Sequence, residues 1–308
     1  MQWKKLGVVW KPEGQQPWAR SHAMIPTPVR IDNECLRIFL CSRDAENRAR
    51  PGFVDVSAAD PTKVLYVHPD PLMDIGAPGT FDDAGVLPTS IVPLPDGRMY
   101  MYYAGFELGH LIRYRLLTGL AVSNDGGVTF HRVRKTPVLE RSDAELYFRC
   151  GPYVAYVPES SRFRLWYVAG SAWEEIDGKS MPVYDLRYLE SDDGIAWDDE
   201  GRVVLSIERP DEHGFGRPWL VVGEHGYQLY YSIRRRSLRA YRMGYAESQD
   251  GLTWSRKDEE LNLDVSAQGW DSEAIMYAAV IEVNGRTFLF YNGNDFGATG
   301  FGVAEQVG

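Results

Sequence analysis

The sequence predicts an all-β fold made of repeated antiparallel units, and three observations carry that expectation. The first is the string Ser-x-Asp-Gly-x-x-Trp, which closes the strand patterns Tyr188–Trp197 and Tyr245–Trp254 and recurs, with one more residue before Phe130, in Leu120–Phe130. Its copies lie roughly 60 residues apart, a period that belongs to stacked or radially arranged β-units rather than to a single sandwich. The second is a pair of hairpins that align position for position, Asp96-Gly97-Arg98 through Gly105 and Asn284-Gly285-Arg286 through Gly293. Asp-Gly and Asn-Gly supply the positive φ angles of a tight hairpin turn. The third is the regular return of short runs rich in aromatic and β-branched residues, with no convincing helix longer than a turn or two.

Taken in order, first strands are expected near residues 23–31, 85–94, 149–157, 217–222 and 273–283, and second strands at 36–41, 98–104, 162–169, 227–233 and 286–292. Third strands carry the Ser-x-Asp-Gly string in the second to fourth units. Fourth strands are expected at Val64–Val67, Pro137–Leu139, Arg202–Leu205 and Leu261–Leu263. The fifth unit ends at Gly300–Glu305 with no outer strand of its own, and Lys5–Trp10 at the other terminus is expected to supply it. Closure of that kind removes a free sheet edge. The expectation is therefore a five-bladed β-propeller of four-stranded antiparallel blades, closed by the N-terminal strand. It forms one domain over 1–308, with blades at about 20–72, 81–140, 145–206, 213–264, and 270–306 plus 3–10. The rival is a pair of β-sandwich domains. The Ser-x-Asp-Gly string itself reads as structural, Asp and Gly closing a turn while the aromatic packs between blades.

The 308 residues are 44% hydrophobic and carry a net charge of −10 without acidic blocks. No basic stripe is present to release counterions from a phosphate backbone, so nucleic acid is not an expected partner. The one dense basic run, Arg234-Arg235-Arg236, is either a solvated strand end or a contact for an anionic sugar or phosphate group. Cys35, Cys41 and Cys150 sit in apolar strand patterns and read as buried thiols. The N-terminal residues lack a secretion-signal pattern and no run of about 18 apolar residues exists, which predicts a cytoplasmic location and no membrane partner. The six histidines show no paired spacing, so no metal or cofactor is expected.

In a propeller the first strands line a central channel, so equivalent positions near their starts converge. The hairpin register pairs Asp83 with Ser21, Tyr147 and Asp271, and Gly85 with Ala23, Arg149 and Glu273; His213 or Arg217 falls nearby in the fourth blade. Asp83, Asp271 and Glu273 are thus the candidate catalytic carboxylates. Cleavage of a glycosidic bond needs one protonated acid and one ionised carboxylate, and like charges at close quarters push one pKa upward. Glu273 opens the apolar run Ala274–Ile281, where an unpaired carboxylate is costly unless it faces a polar cavity. Asp82 and Asp83 equally suit a turn, and Arg149 and Arg217 either bridge these acids or bind substrate. A second constellation, Ser42-Arg43-Asp44 with Asn47 and Arg48, is expected on the same rim as Asn292 and Asn294. These residues and His22 suit sugar hydroxyls, and Phe106, Trp173 and Tyr184 suit the face of a sugar ring.

The strings Cys41-Ser-Arg-Asp44, Tyr103-Ala-Gly105, Trp166-Tyr-Val-Ala-Gly170, Gly216-Arg-Pro218, Gly269-Trp-Asp-Ser-Glu273 and Tyr291-Asn-Gly-Asn294 together resemble a bacterial branch of the five-bladed propeller superfamily that includes glycoside hydrolase families 43, 32, 68 and 130. The Asn-Asp-Pro, Arg-Asp-Pro and Glu-Cys signatures of its invertase-type members are absent, and Arg43-Asp44 is followed by Ala45. The resemblance implies a funnel-shaped active site with an Asp as base or nucleophile and a Glu as acid. The expectation is a carbohydrate-active enzyme acting on a sugar or sugar-nucleotide substrate, with Asp83 as base or nucleophile, Glu273 as general acid, and Asp271 and Asp44 tuning pKa or binding hydroxyls. The rivals are a non-catalytic sugar-binding propeller, and a transferase, lyase or cyclase acting on a nucleotide-linked sugar.

Overall fold

In the computed structural model of the chain, residues 1–223 and 226–307 are described, so Glu224 and His225 of the fourth-blade hairpin lie outside the described residues. The strands run in chain order as β1 (Trp3–Trp10), β2 (Ser21–Arg30), β3 (Cys35–Arg43), β4 (Ala49–Ser57), β5 (Val64–Val67), β6 (Gly85–Pro93), β7 (Met99–Leu108), β8 (Tyr114–Ser123), β9 (His131–Arg132) and β10 (Phe148–Val157). They continue as β11 (Arg162–Ile176), β12 (Lys179–Ser191), β13 (Arg202–Leu205), β14 (Glu212–Gly223), β15 (Gly226–Arg235), β16 (Leu238–Ser248), β17 (Ser255–Arg256), β18 (Met276–Val283), β19 (Arg286–Asn292) and β20 (Phe301–Gln306).

Two compact units emerge. The first comprises Met1–Pro71, Trp219–Ile233 and Leu238–Gly308, and the second Leu72–Pro218 and Arg234–Ser237. In the first unit β2, β3, β4 and β5 form one antiparallel module. Another is β18, β19 and β20 completed by β1, with Trp3 opposite Gln306 and Trp10 opposite Phe301, so the N-terminal strand does supply the outer edge. Its core joins Leu36, Ile38, Leu40, Val54, Phe288, Phe290, Phe301 and Val303, all at most 1% exposed. Fully burying each such side chain contributes about 1.5–3 kcal/mol before chain entropy is charged against it. In the second unit β6 to β9 and β10 to β13 are the modules, sharing a core of Tyr102, Leu120, Leu139, Leu165 and Tyr167.

Two outer strands depart from expectation. In the second blade His131–Arg132 pairs with β8, while Leu139 makes only an isolated bridge to Thr118; Pro137, lacking an N–H, cannot start a continuous ladder there. In the fourth blade Ser255–Arg256 pairs with β16, and Leu261 ends a 3-10 turn.

First strands are buried along most of their length, as in β2, whereas outer strands such as β5 are largely exposed. The first strands also bulge: the register slips at Met24, between Pro88 and Ser90, between Cys150 and Tyr153, and between Met276 and Ala279. Pro26, Pro88 and Pro152 sit at or within these slips, where a missing N–H costs the ladder least. Residues at the bulges take left-handed backbone, with φ of 58° at Ile25, 61° at Gly151 and 59° at Tyr277, and Arg217 before Pro218 has φ 27°.

The three Ser-x-Asp-Gly strings form one turn. Ser123, Ser191 and Ser248 lie 2.7, 3.0 and 2.9 Å from Asp125, Asp193 and Asp250, and each Asp Oδ1 accepts backbone N–H groups two to four residues on. These bonds satisfy donors that the turn would otherwise leave unpaired.

Candidate functional site

A phenol, a carboxylate and a cation recur at the module ends. In the second unit the Tyr103 hydroxyl donates to Asp82 at 3.0 Å, and Arg132 lies 2.8 Å from the same carboxylate. Tyr167 donates to Glu145, which Arg149 meets at 2.6 Å and Arg187 at 3.2 Å. In the first unit Tyr231 donates to Asp258 beside Arg256, and Tyr291 to Asp271 beside Lys5. Asp82, Glu145 and Asp271 each stand a few residues before a first strand. The hairpin register pairs Asp271 with Asp83; the bonding makes Asp82 its counterpart, because the two first strands bulge by the same single residue while the second-blade hairpin, with Leu94 N bonded to the Arg98 carbonyl, is one residue longer than the two-residue turn between Val283 and Arg286.

Asp271 is consequently a paired acid, 1% exposed. Burial raises its carboxyl pKa, but the bonds from Lys5, Ser266 and Tyr291 outweigh that and hold it below the ordinary value. Arg149 is also enclosed, its three guanidinium nitrogens within 2.8 Å of Glu145, the Glu140 carbonyl and the Asp198 carbonyl. Asp44 organises its own loop: Arg48 and Arg50 meet Oδ2 at 2.9 and 2.7 Å, and the N–H groups of Glu46 and Arg48 donate to Oδ1. Asn292 and Asn294 likewise serve the backbone. Asn292 accepts from Ile25 N at 2.7 Å and donates to the Ala23 carbonyl, while Asn294 accepts from Glu273 N at 2.8 Å and Ala274 N at 3.1 Å.

Glu273 differs from these acids. Its backbone N–H goes to Asn294 and its carbonyl accepts from Arg242 at 2.8 Å, so the main chain is clamped on both sides while the side chain is exposed. Among the described residues its carboxylate has no hydrogen-bond or ion-pair partner. Near it the first unit gathers groups that sequence reasoning only partly anticipated. β2 packs beside β18, β19 and the turn Asn294–Gly297. Along them His22, Tyr277, Asp295 and Phe296 all have left-handed backbone, φ 62°, 59°, 47° and 56°. Such strain in non-glycine residues concentrates at functional sites. Tyr241 packs on Tyr277 and on Phe296 at ring separations of 5.5 and 6.1 Å. His22 meets Ser21 at 2.8 Å and Arg43 at 3.3 Å; burial first, then the Arg43 charge, lowers its pKa to about 4 against an opposing effect of Asp295.

In the second unit Asp83 is half-buried and accepts from Gly79 N at 2.8 Å. Arg217, 3% exposed, donates to the Thr89 carbonyl at 3.3 Å. Trp173 does join Phe106 and Tyr184 in one aromatic cluster. Tyr114 and Phe148 bridge them, with separations of 5.2 Å for Phe106–Tyr114, 5.7 Å for Tyr114–Trp173, 5.4 Å for Phe148–Trp173 and 6.2 Å for Phe148–Tyr184.

No protein-family model matches the chain. Among solved structures, an RGII complex of BT0996 superimposes with a TM-score of 0.71 at 16% identity, covering 98% of this chain and 90% of that one. A thermostable family-43 glycoside hydrolase gives 0.66 at 16% identity, over 92% and 88% of the two chains. A third comes from work on the GH130 family of mannoside phosphorylases, described as containing glycoside hydrolases that target β-1,2-mannosidic linkages in Candida mannan. It gives 0.66 at 13% identity over 98% and 93%. Among curated sequences, the uncharacterised protein Rv1502 of Mycobacterium tuberculosis is 34% identical over 304 residues, 99% of each chain. The chain belongs to the family of that mycobacterial protein, and its fold is the five-bladed β-propeller of family-43 and family-130 type glycoside hydrolases.

Proposed function

We propose that this protein is a carbohydrate-active enzyme that breaks or transfers a glycosidic or activated-sugar bond, with Glu273 as general acid. The observation that carries the reading is the state of Glu273, an exposed carboxylate on a backbone clamped by Asn294 and Arg242. A side chain fixed at its root and open at its tip suits proton delivery to a leaving oxygen as the C–O bond breaks. The strained residues His22, Tyr277, Asp295 and Phe296 support it, since such conformations persist where surrounding structure holds them for a task. Asp83 is the carboxylate assigned to the base or nucleophile role on its own surroundings, since its one hydrogen bond among the described residues, from Gly79 N, engages Oδ2 alone. The RGII complex of a structural neighbour agrees with a carbohydrate ligand.

A panel of aryl glycosides, oligosaccharides and sugar nucleotides, read by product mass, tests the reading. The expected result is turnover that Glu273→Gln lowers by about 10²-fold or more, consistent with loss of a general acid. Turnover unchanged in the folded Gln variant overturns the assignment. Product mass also separates water from another acceptor.

One arrangement favours a second reading, a sugar-binding propeller without chemistry. Asp82, Glu145, Asp258 and Asp271 are all held in ion pairs, and the Phe106–Trp173–Tyr184 cluster offers aromatic surface. Saturable binding with no turnover of any panel member decides for it.

A further inference from the structure

We propose that Arg43 and His22 form a recognition site for the carboxylate of an acidic sugar. The inference rests on the carbohydrate reading above and names the class of substrate. Arginines near Arg43 in the first unit are spoken for by acids: Arg48 and Arg50 share Asp44, and Arg37 pairs with Asp55 at 2.8 Å. Arg43, half-buried at the end of β3, is not; among the described residues the one hydrogen bond of its guanidinium runs to the ring of His22 at 3.3 Å. A guanidinium only donates, so His22 Nε2 must accept. The neutral ring then carries its hydrogen on Nδ1 and donates it to Ser21 Oγ at 2.8 Å. The low proton affinity of the buried imidazole agrees with that tautomer. His22 therefore aims the guanidinium without neutralising it, and most of the planar N–H fork stays available for an anion.

The geometry is built in the sequence. Ser21 stands opposite Arg43 across the β2–β3 pair, which sets the imidazole beside the guanidinium, and the left-handed backbone of His22 is a cost accepted to place it there. The choice of carboxylate over phosphate follows from Asp295, which sits in the turn Asn294–Gly297 packed against β2, the strand that carries His22. One guanidinium beside a nearby carboxylate suits a monoanion with two coplanar oxygens, whereas a dianion meets the Asp295 repulsion twice over.

Calorimetric titration of the full chain with glucuronate and galacturonate, their neutral parents glucose and galactose, and inorganic phosphate tests the proposal. At least one uronate is expected to bind tenfold or more tighter than its parent. Arg43→Gln should abolish that preference, and Arg43→Lys, which keeps the charge but loses the fork, should retain only part of it. Thermal melting of each variant reports folding, and if the Gln variant does not fold the Lys variant carries the test. Uronates that bind no better than their parents, or phosphate that binds tighter than either uronate, overturn it. So does a uronate preference indifferent to Arg43. The two proposals fail separately: Arg43-dependent uronate binding without turnover leaves this site standing, and turnover of neutral glycosides untouched by Arg43→Lys leaves only the reaction.

Discussion

Lys5 Nζ lies 2.6 Å from Asp271 Oδ2, tying the N-terminal strand to the segment that leads into β18. Tyr291 donates to the same oxygen at 2.9 Å. With Asp271 1% exposed, the cation and the phenol are what permit an ionised carboxylate to stay buried. The equivalent trios around Asp82, Glu145 and Asp258 show the same solution to the same problem, closing a module end where backbone ladders stop.

Removing one partner should cost more than the pair contributes, because the acid is left behind. Lys5→Met is expected to destabilise by about 2–4 kcal/mol and Tyr291→Phe by about 1–2 kcal/mol. Urea unfolding of the two variants and their combination measures both. The double variant should differ from the sum, since the groups share one oxygen.

Gly119 makes room for one of these phenols: a Cβ there would run into the Tyr103 ring on its way to Asp82. Gly119→Ala is therefore expected to lower stability by about 1–3 kcal/mol although alanine suits a strand no worse than glycine. Urea unfolding measures the loss. Because the ring carbon that bears the hydroxyl is the nearest atom, Tyr103→Phe is not expected to restore the loss, and an unfolding free energy unchanged in Gly119→Ala would show that the ring gives way without cost.

Much of the fold is legible in the residues because local chemistry repeats. Asp-Gly turns, aromatic strands and the Ser-x-Asp-Gly strings are read by counting, and the pairing of β1 with β20 follows from an outer strand missing at one end and spare at the other. The site is less legible. The one-residue difference between the two hairpins is invisible to a register anchored on Asp96-Gly97 and Asn284-Gly285, which is why Asp271 aligns on paper with Asp83 and by its bonding with Asp82. Tyr241 and Tyr277 escape for a related reason: each reads as an ordinary strand aromatic, and only the left-handed turn at Tyr277 brings them ring to ring. The outer strands of the second and fourth blades are two residues long, too short for any periodicity to announce them.

Acid should weaken the protein in two stages. His22 is held neutral, with a pKa of about 4, while an unfolded histidine titrates near its ordinary value of 6.5. As pH falls from 6.5 to 4 the unfolded chain binds a proton that the folded one refuses, so stability declines through that window, with about 3 kcal/mol as the upper bound from this group. Ser21, Arg43 and Asp295 surround the ring, and Arg43→Gln should shrink the decline by removing the adjacent positive charge. Asp250 shifts in the same direction at lower pH: the N–H groups of Thr253 and Leu252 and the Ser248 hydroxyl hold its pKa at about 2. Its contribution is complete above the ordinary carboxylate pKa and is lost as pH falls toward 2, a second stage that Asp250→Asn should remove. Chemical denaturation at a series of pH values separates the stages.

Two acids only two residues apart should fail in different ways, and this contrast tests the division between structure and chemistry. Asp271 is enclosed by Lys5, Ser266 and Tyr291, so Asp271→Asn should act through stability: a lowered melting temperature, with kcat per folded molecule little changed. Glu273 is exposed and unpaired among the described residues, so Glu273→Gln should leave the melting temperature within the scatter usual for surface substitutions while kcat falls by about 10²-fold or more. Asp83→Asn gives the third reading: it loses only one backbone bond, from Gly79, so a large drop in kcat with little change in stability would mark it as a reacting carboxylate. If instead Asp271→Asn abolishes kcat in molecules that remain folded while Glu273→Gln does not, the proton donor is the buried acid. The pairing with Lys5 would then be a means of tuning that acid rather than of closing the blade.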